Sequence, residues 1–121
     1  MKKVLIAEDD PTNQKIIAKF VDKMGYIPMV SPNGRHAYET LNAYNNINLI
    51  VTDIMMPEMD GRQLIQTIRG NTYYNKLPII IISAVIGVSD ISDLLEMGAT
   101  YFLAKPIKRN DFEDYVHRCL K

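Results

Sequence analysis

Short apolar runs alternate along the chain with segments in which apolar residues recur at helical spacing. Four of the runs are solidly apolar, and a fifth contains a proline. In chain order they are Val4–Ala7, Ile27–Val30, Leu49–Val51, Ile79–Ile82 and Phe102–Ala104. Runs of this length and composition are typical of strands buried on both faces of a parallel sheet. Because proline cannot donate to a hydrogen-bond ladder, Pro28 places the second run near an edge of that sheet.

The intervening segments predict five helices. Four carry a stripe of apolar residues, and three of these stripes end at a glycine, a common helix stop. The stripes are Ile16, Ile17, Phe20, Val21 and Met24; Leu64, Ile65 and Ile68; Ile91, Leu94 and Leu95; and Phe112, Tyr115, Val116, Cys119 and Leu120. The fifth helix is predicted over Arg35–Tyr44, with Ala37 and Leu41 as its inner positions. Repeated alternation of strand and helix predicts an α/β fold, with a doubly wound parallel sheet covered by helices on both faces.

Composition narrows the class of protein. The 121 residues suit one domain, and 14 basic against 14 acidic side chains leave no net charge. This balance argues against a nucleic-acid or membrane-surface partner, which calls for a basic excess. The lone Cys119 excludes an internal disulfide, fits a reducing compartment, and is interpreted as a small buried apolar residue. No apolar run suits a signal peptide or a membrane span. We therefore expect residues 1–121 to form one cytoplasmic domain without an attached output domain.

Polar side chains follow four of the predicted strands. Glu8 and Asp9 come after the first strand, Asp53 after the third, Ser83 after the fourth and Lys105 after the fifth. Open parallel sheets bind ligands beyond the carboxyl ends of their strands, so these side chains are expected to converge there. Neighbouring carboxylates repel one another, and Mg²⁺, which prefers one or two carboxylates and several waters, relieves that repulsion. Asp10 is assigned no metal role; it is predicted to face solvent or to cap the first helix, with the following proline at the first helical position.

Such a site suits phosphoryl transfer. A carboxylate that touches the cation is an oxygen nucleophile toward phosphorus, and its product is an acyl phosphate. The cation and Lys105 would neutralise charge on the phosphoryl oxygens, and Ser83 would hydrogen-bond one of them.

The whole chain resembles the receiver domain of two-component response regulators. The motifs that carry the resemblance are VLIAEDDP, LIVTDIMMPEMDG, PIIIISA and GATYFLAKPI, which stand in the family's order and at its spacing. The resemblance implies a flavodoxin-like fold with five strands in the order 2-1-3-4-5 and five helices. It also implies a phosphorelay switch whose phosphodonor is a histidine kinase or a histidine phosphotransfer protein. Such a domain catalyses its own phosphorylation and dephosphorylation but is not a turnover enzyme.

The resemblance further assigns the acceptor and the metal ligands. Asp53 would accept the phosphoryl group. Asp9, Asp53 and the backbone carbonyl of Met55 would ligate Mg²⁺, and Glu8 would act mainly through metal-bound water. Glu8 stands where the family more often has Asp, and its extra methylene would shift the metal or tighten the site.

Four more positions match residues that bind or report the phosphoryl group. Lys105 matches the family's invariant lysine, and its bond to Pro106 is expected to be cis. Ser83 matches the switch Ser/Thr, with the hydroxyl of the commoner Thr retained. Phe102 matches the switch aromatic, without the phenolic hydroxyl of the commoner Tyr. Ser83 moving toward the phosphoryl group and Phe102 turning inward would change the surface formed by the fourth helix, fifth strand and fifth helix. A downstream protein or a second copy of the chain would bind there.

Other functions remain as alternatives. A Mg²⁺-dependent phosphohydrolase uses similar groups, but the DxDxT nucleophile motif of haloacid-dehalogenase phosphatases is missing around Asp53, which reads TDIMM. Nucleotide binding is disfavoured because neither of the glycine-rich phosphate-binding motifs, G-x-G-x-x-G and G-x-x-x-x-G-K-[ST], follows the first strand. A scaffold that binds partners without phosphorylation is disfavoured by the complete set of acids, hydroxyl and lysine. The segment PTNQKI is similar to that of receivers fused to hybrid kinases, which leaves open a free-standing regulator or a module of such a kinase.

Overall fold

Strand and helix alternate through the computed structural model, which describes residues 1–44, 46–84 and 87–121. The strands are β1 (Lys3–Ala7), β2 (Ile27–Ser31), β3 (Ile47–Asp53), β4 (Ile79–Ser83) and β5 (Tyr101–Ala104). The helices are α1 (Pro11–Lys23), α2 (Gly34–Ala43), α3 (Gly61–Arg69), α4 (Val88–Met97) and α5 (Arg109–Leu120). All strand pairs are parallel, and the order is β2-β1-β3-β4-β5, which confirms the predicted fold and places Pro28 on an edge strand. No helix within the described residues is long and apolar enough to cross a membrane.

Successive residues of the central strands pack into two separate cores. Val4 and Ile6 of β1 lie in the core beneath α1 and α5, whereas Leu5 and Ala7 lie in the core beneath α2, α3 and α4. Side chains alternate between the two faces of a strand, and burial on both faces explains why the central runs are almost wholly apolar. The sheet is therefore held between two helical layers, and its carboxyl edge remains open for a site.

Two residues predicted on buried helical stripes are exposed instead. Ile16 of α1 is 41% exposed and Leu95 of α4 is 43% exposed. Their neighbours Ile17 and Leu94 are buried and belong to the two cores. The apolar stripes are therefore wider than the strip of helix surface that the sheet covers.

Three helices begin next to the carboxyl edge with a capping side chain. Asp10 accepts a hydrogen bond from the third residue of α1, as expected for a cap. Asp60 caps α3 in the same way. Asn33 caps α2 by accepting from the backbone N–H of His36, so this helix starts at Gly34, one residue before the predicted start. The caps fix the turns that follow β1, β2 and β3.

The Cys119 thiol on α5 is half-buried rather than fully enclosed. Burial raises the pKa of the thiol from 9.0 to about 11. Because the thiolate is the reactive form, we expect iodoacetamide at pH 8 to alkylate the folded protein about 100-fold more slowly than the urea-unfolded chain. Mass spectrometry of timed samples measures both rates, and equal rates would contradict the assigned burial.

Candidate functional site

The carboxyl ends of β1 and β3 bring three acidic side chains together. Glu8, Asp9 and Asp53 each offer a carboxylate oxygen, and these oxygens all lie within 4.8 Å of one another. Glu8 is 1% exposed and Asp53 is 8% exposed, whereas Asp9 is exposed to solvent. The convergence expected from the sequence is present. One acid faces water, and two are removed from it.

Lys105 supplies a positive charge to the same cluster from the end of β5. Its Nζ donates to Asp53 Oδ2 at 2.6 Å and to Glu8 Oε1 at 3.1 Å. Its backbone N–H donates to the carbonyl of Ser83 at 2.8 Å, which ties the loop after β5 to the end of β4. The Lys105–Pro106 peptide is cis, the isomer that the resemblance implied. The lysine thus spans the sheet edge and makes charge-assisted hydrogen bonds with both buried acids.

The environment shifts the pKa values of two of these groups. Burial raises the pKa of Glu8 above its usual value and outweighs its hydrogen bonds with the Asp10 N–H and Lys105. Burial acts to lower the pKa of Lys105, but the hydrogen bonds to Asp53 and Glu8 prevail, and the pKa is raised. A buried carboxylate beside a second carboxylate favours any cation that enters the site. Lys105 remains protonated and neutralises part of the negative charge of the two buried carboxylates.

Short local hydrogen bonds orient Asp53. Its Oδ1 accepts from the N–H of Ile54 at 2.7 Å, and its backbone carbonyl accepts from Thr52 Oγ1 at 2.8 Å. Gly61 approaches from the start of α3, where its N–H donates to the carbonyl of Ile54 at 2.8 Å. A Cβ on Gly61 would lie 2.3 Å from the Asp53 carbonyl oxygen, so only glycine fits. This close approach was not identified from the sequence.

Glu8 is held by two residues that sequence reasoning did not connect with the site. Gln14 of α1 donates through Nε2 to the Glu8 carbonyl at 2.6 Å. The N–H of Glu8 donates to the carbonyl of Ser31 at the end of β2, at 3.0 Å. The only sequence signal that could have linked Gln14 to the site is its position as a polar residue one turn into α1, the helix that follows Glu8. The Ser31 contact depends on the register between β1 and β2, which the sequence does not display.

The two expected switch positions lie on neighbouring strands. Ser83 is the last residue of β4, is 6% exposed, and is in register with Ala104. Phe102 of β5 is in register with Ile81, and its partly buried ring packs against the core beneath α2, α3 and α4. The exposed Met55 follows the acid-bearing strand β3. Phe102 therefore lies on the predicted fifth strand and Met55 after the third, whereas Ser83 ends the strand that it was expected to follow.

The donor set suits a hard divalent cation. Carboxylate and carbonyl oxygens are the ligands that Mg²⁺ prefers, and it commonly uses one or two carboxylates. The exposed Asp9 gives access from solvent, and the buried Glu8 and Asp53 supply negative charge that Lys105 offsets only in part. The acidic cluster is compatible with metal binding.

Comparison with known proteins identifies the class. The family model "Response regulator receiver domain" matches residues 4–117, and the chain belongs to this family. Receiver domains of this family act in two-component signalling, typically as switches. The matches do not favour the phosphohydrolase alternative.

Individual proteins of the family are similar to this chain over nearly its whole length. The two-component response regulator ORR11 of Oryza sativa subsp. indica is 31% identical over 117 residues, 97% of this chain and 80% of the relative. The receiver domain of a signal transduction histidine kinase from Syntrophus aciditrophicus is 32% identical, with a TM-score of 0.88 over 98% of this chain and 89% of that one. The receiver domain of sensor histidine kinase PA1611 from Pseudomonas aeruginosa PAO1 is 27% identical, with a TM-score of 0.88 over 98% and 96%. That structure has a magnesium ion coordinated in its active-site cleft.

Proposed function

We propose that this domain, residues 1–121, is a cytoplasmic switch whose Asp53 accepts a phosphoryl group from the phosphohistidine of a kinase or phosphotransfer protein. The observation that carries the proposal is the contact of Asp53 Oδ2 with Lys105 Nζ at 2.6 Å, inside a cluster of three carboxylates. An isolated acid at a strand end would need no such partly buried lysine. Membership of the receiver family supports the same assignment.

In the transfer, a carboxylate oxygen of Asp53 forms a bond to phosphorus as the phosphorus–nitrogen bond of the donor breaks. The electron pair of that bond leaves with the imidazole, which takes up a proton from solvent. Ile54 keeps the carboxylate oriented through its N–H, and Lys105 offsets charge on the phosphoryl oxygens. Asp9, Asp53, the Met55 carbonyl and, mainly through water, Glu8 would hold Mg²⁺, which supplies positive charge beside those oxygens.

Phosphorylation of Asp53 would change the conformation of residues on the neighbouring strands β4 and β5. The hydroxyl of Ser83, at the end of β4, would hydrogen-bond a phosphoryl oxygen. The ring of Phe102 is only partly buried, and turning inward would bury it further. These movements would alter the surface formed by α4, β5 and α5, where a downstream protein or a second copy would bind. A new dianionic group beside a fixed cation site supplies the driving force.

A labelling experiment on the wild-type chain tests this function. With Mg²⁺ and a low-molecular-weight acyl phosphate, we expect one phosphoryl group per chain, mapped by peptide mass spectrometry to the peptide that contains Asp53. Adding a chelator is expected to slow labelling at least about 10-fold, because the charge on the phosphoryl oxygens is then poorly offset. Sustained hydrolysis of a phosphomonoester with no labelled protein would instead support the phosphohydrolase.

A further inference from the structure

The first turn of α2 lies against the site although it carries none of the proposed site residues. Gly34 is buried there, and its N–H donates to the carbonyl of Met59 at 2.9 Å. Met59 belongs to the β3–α3 loop, residues 54–60, which follows Asp53 directly and carries Met55. The first N–H groups of a helix have no partner within the helix, so this bond satisfies one of them and fastens the loop to α2.

The space at this contact admits only glycine. A Cβ on Gly34 would lie 2.3 Å from the carbonyl oxygen of Met59 and 3.0 Å from its carbonyl carbon, whereas ordinary contact begins at 3.4 Å. Both neighbours are backbone atoms, so no side-chain rotation relieves the overlap. Any side chain here would move the loop and the helix apart by about 1 Å.

The loop needs such an anchor because its backbone is strained. Glu58, the residue before Met59, has a φ of 68°, in the left-handed region that residues with side chains seldom adopt. Strained backbone persists only where surrounding contacts over-determine it. Gly34 provides one contact at the far end of the loop, and the bond from Gly61 to Ile54 provides another at the near end.

The first turn of α2 is also linked, through the end of β2, to the segment that carries Glu8. The Nδ1 of His36 lies 2.8 Å from Ser31 Oγ, in a hydrogen bond with a fully buried hydroxyl. The carbonyl of Ser31 accepts from the N–H of Glu8 at 3.0 Å. The first turn of α2 therefore bridges the end of β2, which contacts Glu8, and the loop that follows Asp53.

We propose that this turn is a positioning element for the acidic site, with Gly34 holding the β3–α3 loop and His36 holding the end of β2. It fixes the spacing between the Met55 carbonyl and the carboxylates of Glu8 and Asp53. The proposal rests on the proposed function for its effect on phosphorylation, but its effects on the loop and on metal binding are measurable without a phosphodonor.

The test compares Gly34→Ala with Gly25→Ala. Gly25 has a φ of 88° and open space within 4 Å of a Cβ, so its substitution strains the backbone without pushing on a neighbour. Amide hydrogen exchange of Gly61, Mg²⁺ titration followed by NMR, and the initial rate of labelling are measured on the full chain. We expect Gly34→Ala to accelerate Gly61 exchange, weaken Mg²⁺ binding and slow labelling, each about 10-fold, since a 1 Å displacement of a site is costly. Gly25→Ala is expected to keep the wild-type Mg²⁺ affinity and labelling rate.

Each remaining outcome is decisive. Wild-type exchange and Mg²⁺ affinity in Gly34→Ala would overturn the proposal, and so would equal losses in Gly34→Ala and Gly25→Ala, which would indicate general destabilisation. If Gly34→Ala does not fold, the exposed substitution His36→Ala tests the other anchor and is expected to weaken Mg²⁺ binding about twofold; unchanged affinity there would also overturn it. A wild-type chain that binds Mg²⁺ but takes up no phosphoryl group would refute the proposed function alone.

Discussion

Asp53→Asn is expected to lower phosphoryl labelling more than about 100-fold, because the substitution removes the nucleophile and also the charge that Asp53 presents to Lys105 and to Mg²⁺. Asparagine has the shape of aspartate and retains an oxygen that can accept the N–H of Ile54, now bonded to Oδ1 at 2.7 Å. Its neutral amide is a poor nucleophile toward phosphorus. Labelling with an acyl phosphate and Mg²⁺, quantified by intact-protein mass spectrometry, measures the loss.

Asp60→Asn, at the far end of the loop that follows Asp53, is the matched control. Asp60 caps α3 by accepting from the N–H of Gln63 at 2.9 Å, and asparagine caps helices about as well as aspartate. The control changes the same net charge by the same chemistry, and its labelling is expected to stay within about twofold of the wild type. If Asp53→Asn were labelled as fast as Asp60→Asn, the phosphoryl acceptor would lie elsewhere.

Lys105→Met is expected to destabilise the metal-free protein by about 2 kcal/mol, because it leaves two buried carboxylates without their cation. The side chains concerned are only 19% exposed for Lys105, 2% for Glu8 and 9% for Asp53, so solvent screens the interaction weakly. Urea unfolding in the presence of a chelator measures the loss of unfolding free energy. Added Mg²⁺ is expected to stabilise this variant more than the wild type, since the ion no longer competes with a lysine for the carboxylates.

Lys108→Met provides the comparison for that effect. Lys108 is exposed just before α5, and the same substitution there is expected to change the unfolding free energy by less than about 0.5 kcal/mol. Equal behaviour of the two variants, with or without Mg²⁺, would mean that Lys105 does not neutralise the acidic cluster.

The strands and the convergence of the acids are predictable from sequence because both follow from periodicity and topology. Apolar runs specify buried strands, and parallel strands bring their carboxyl ends to one edge, so Asp53 and Lys105 meet although they lie far apart in the chain. The resemblance added the roles of these residues, which periodicity alone does not assign.

Other features depend on tertiary distances that no local pattern encodes. The fit of Gly61 against the Asp53 carbonyl and the hold of Ser31 on Glu8 arise from the register and spacing of neighbouring elements. Local signals also fail to predict the 3₁₀ helix Thr72–Tyr74, a short turn between α3 and β4. The exposure of Leu95 was not predictable for the same reason: an apolar stripe on a helix does not show how much of the stripe the sheet covers.

The two outermost strands influence how one copy of this domain can meet another. Pro28 withholds a hydrogen-bond donor on β2, and β5 is only four residues long. Short edges and edge prolines are poor templates for an added strand from a second molecule. Self-association of this domain is therefore expected to join helical surfaces side by side rather than to lengthen the sheet across two chains.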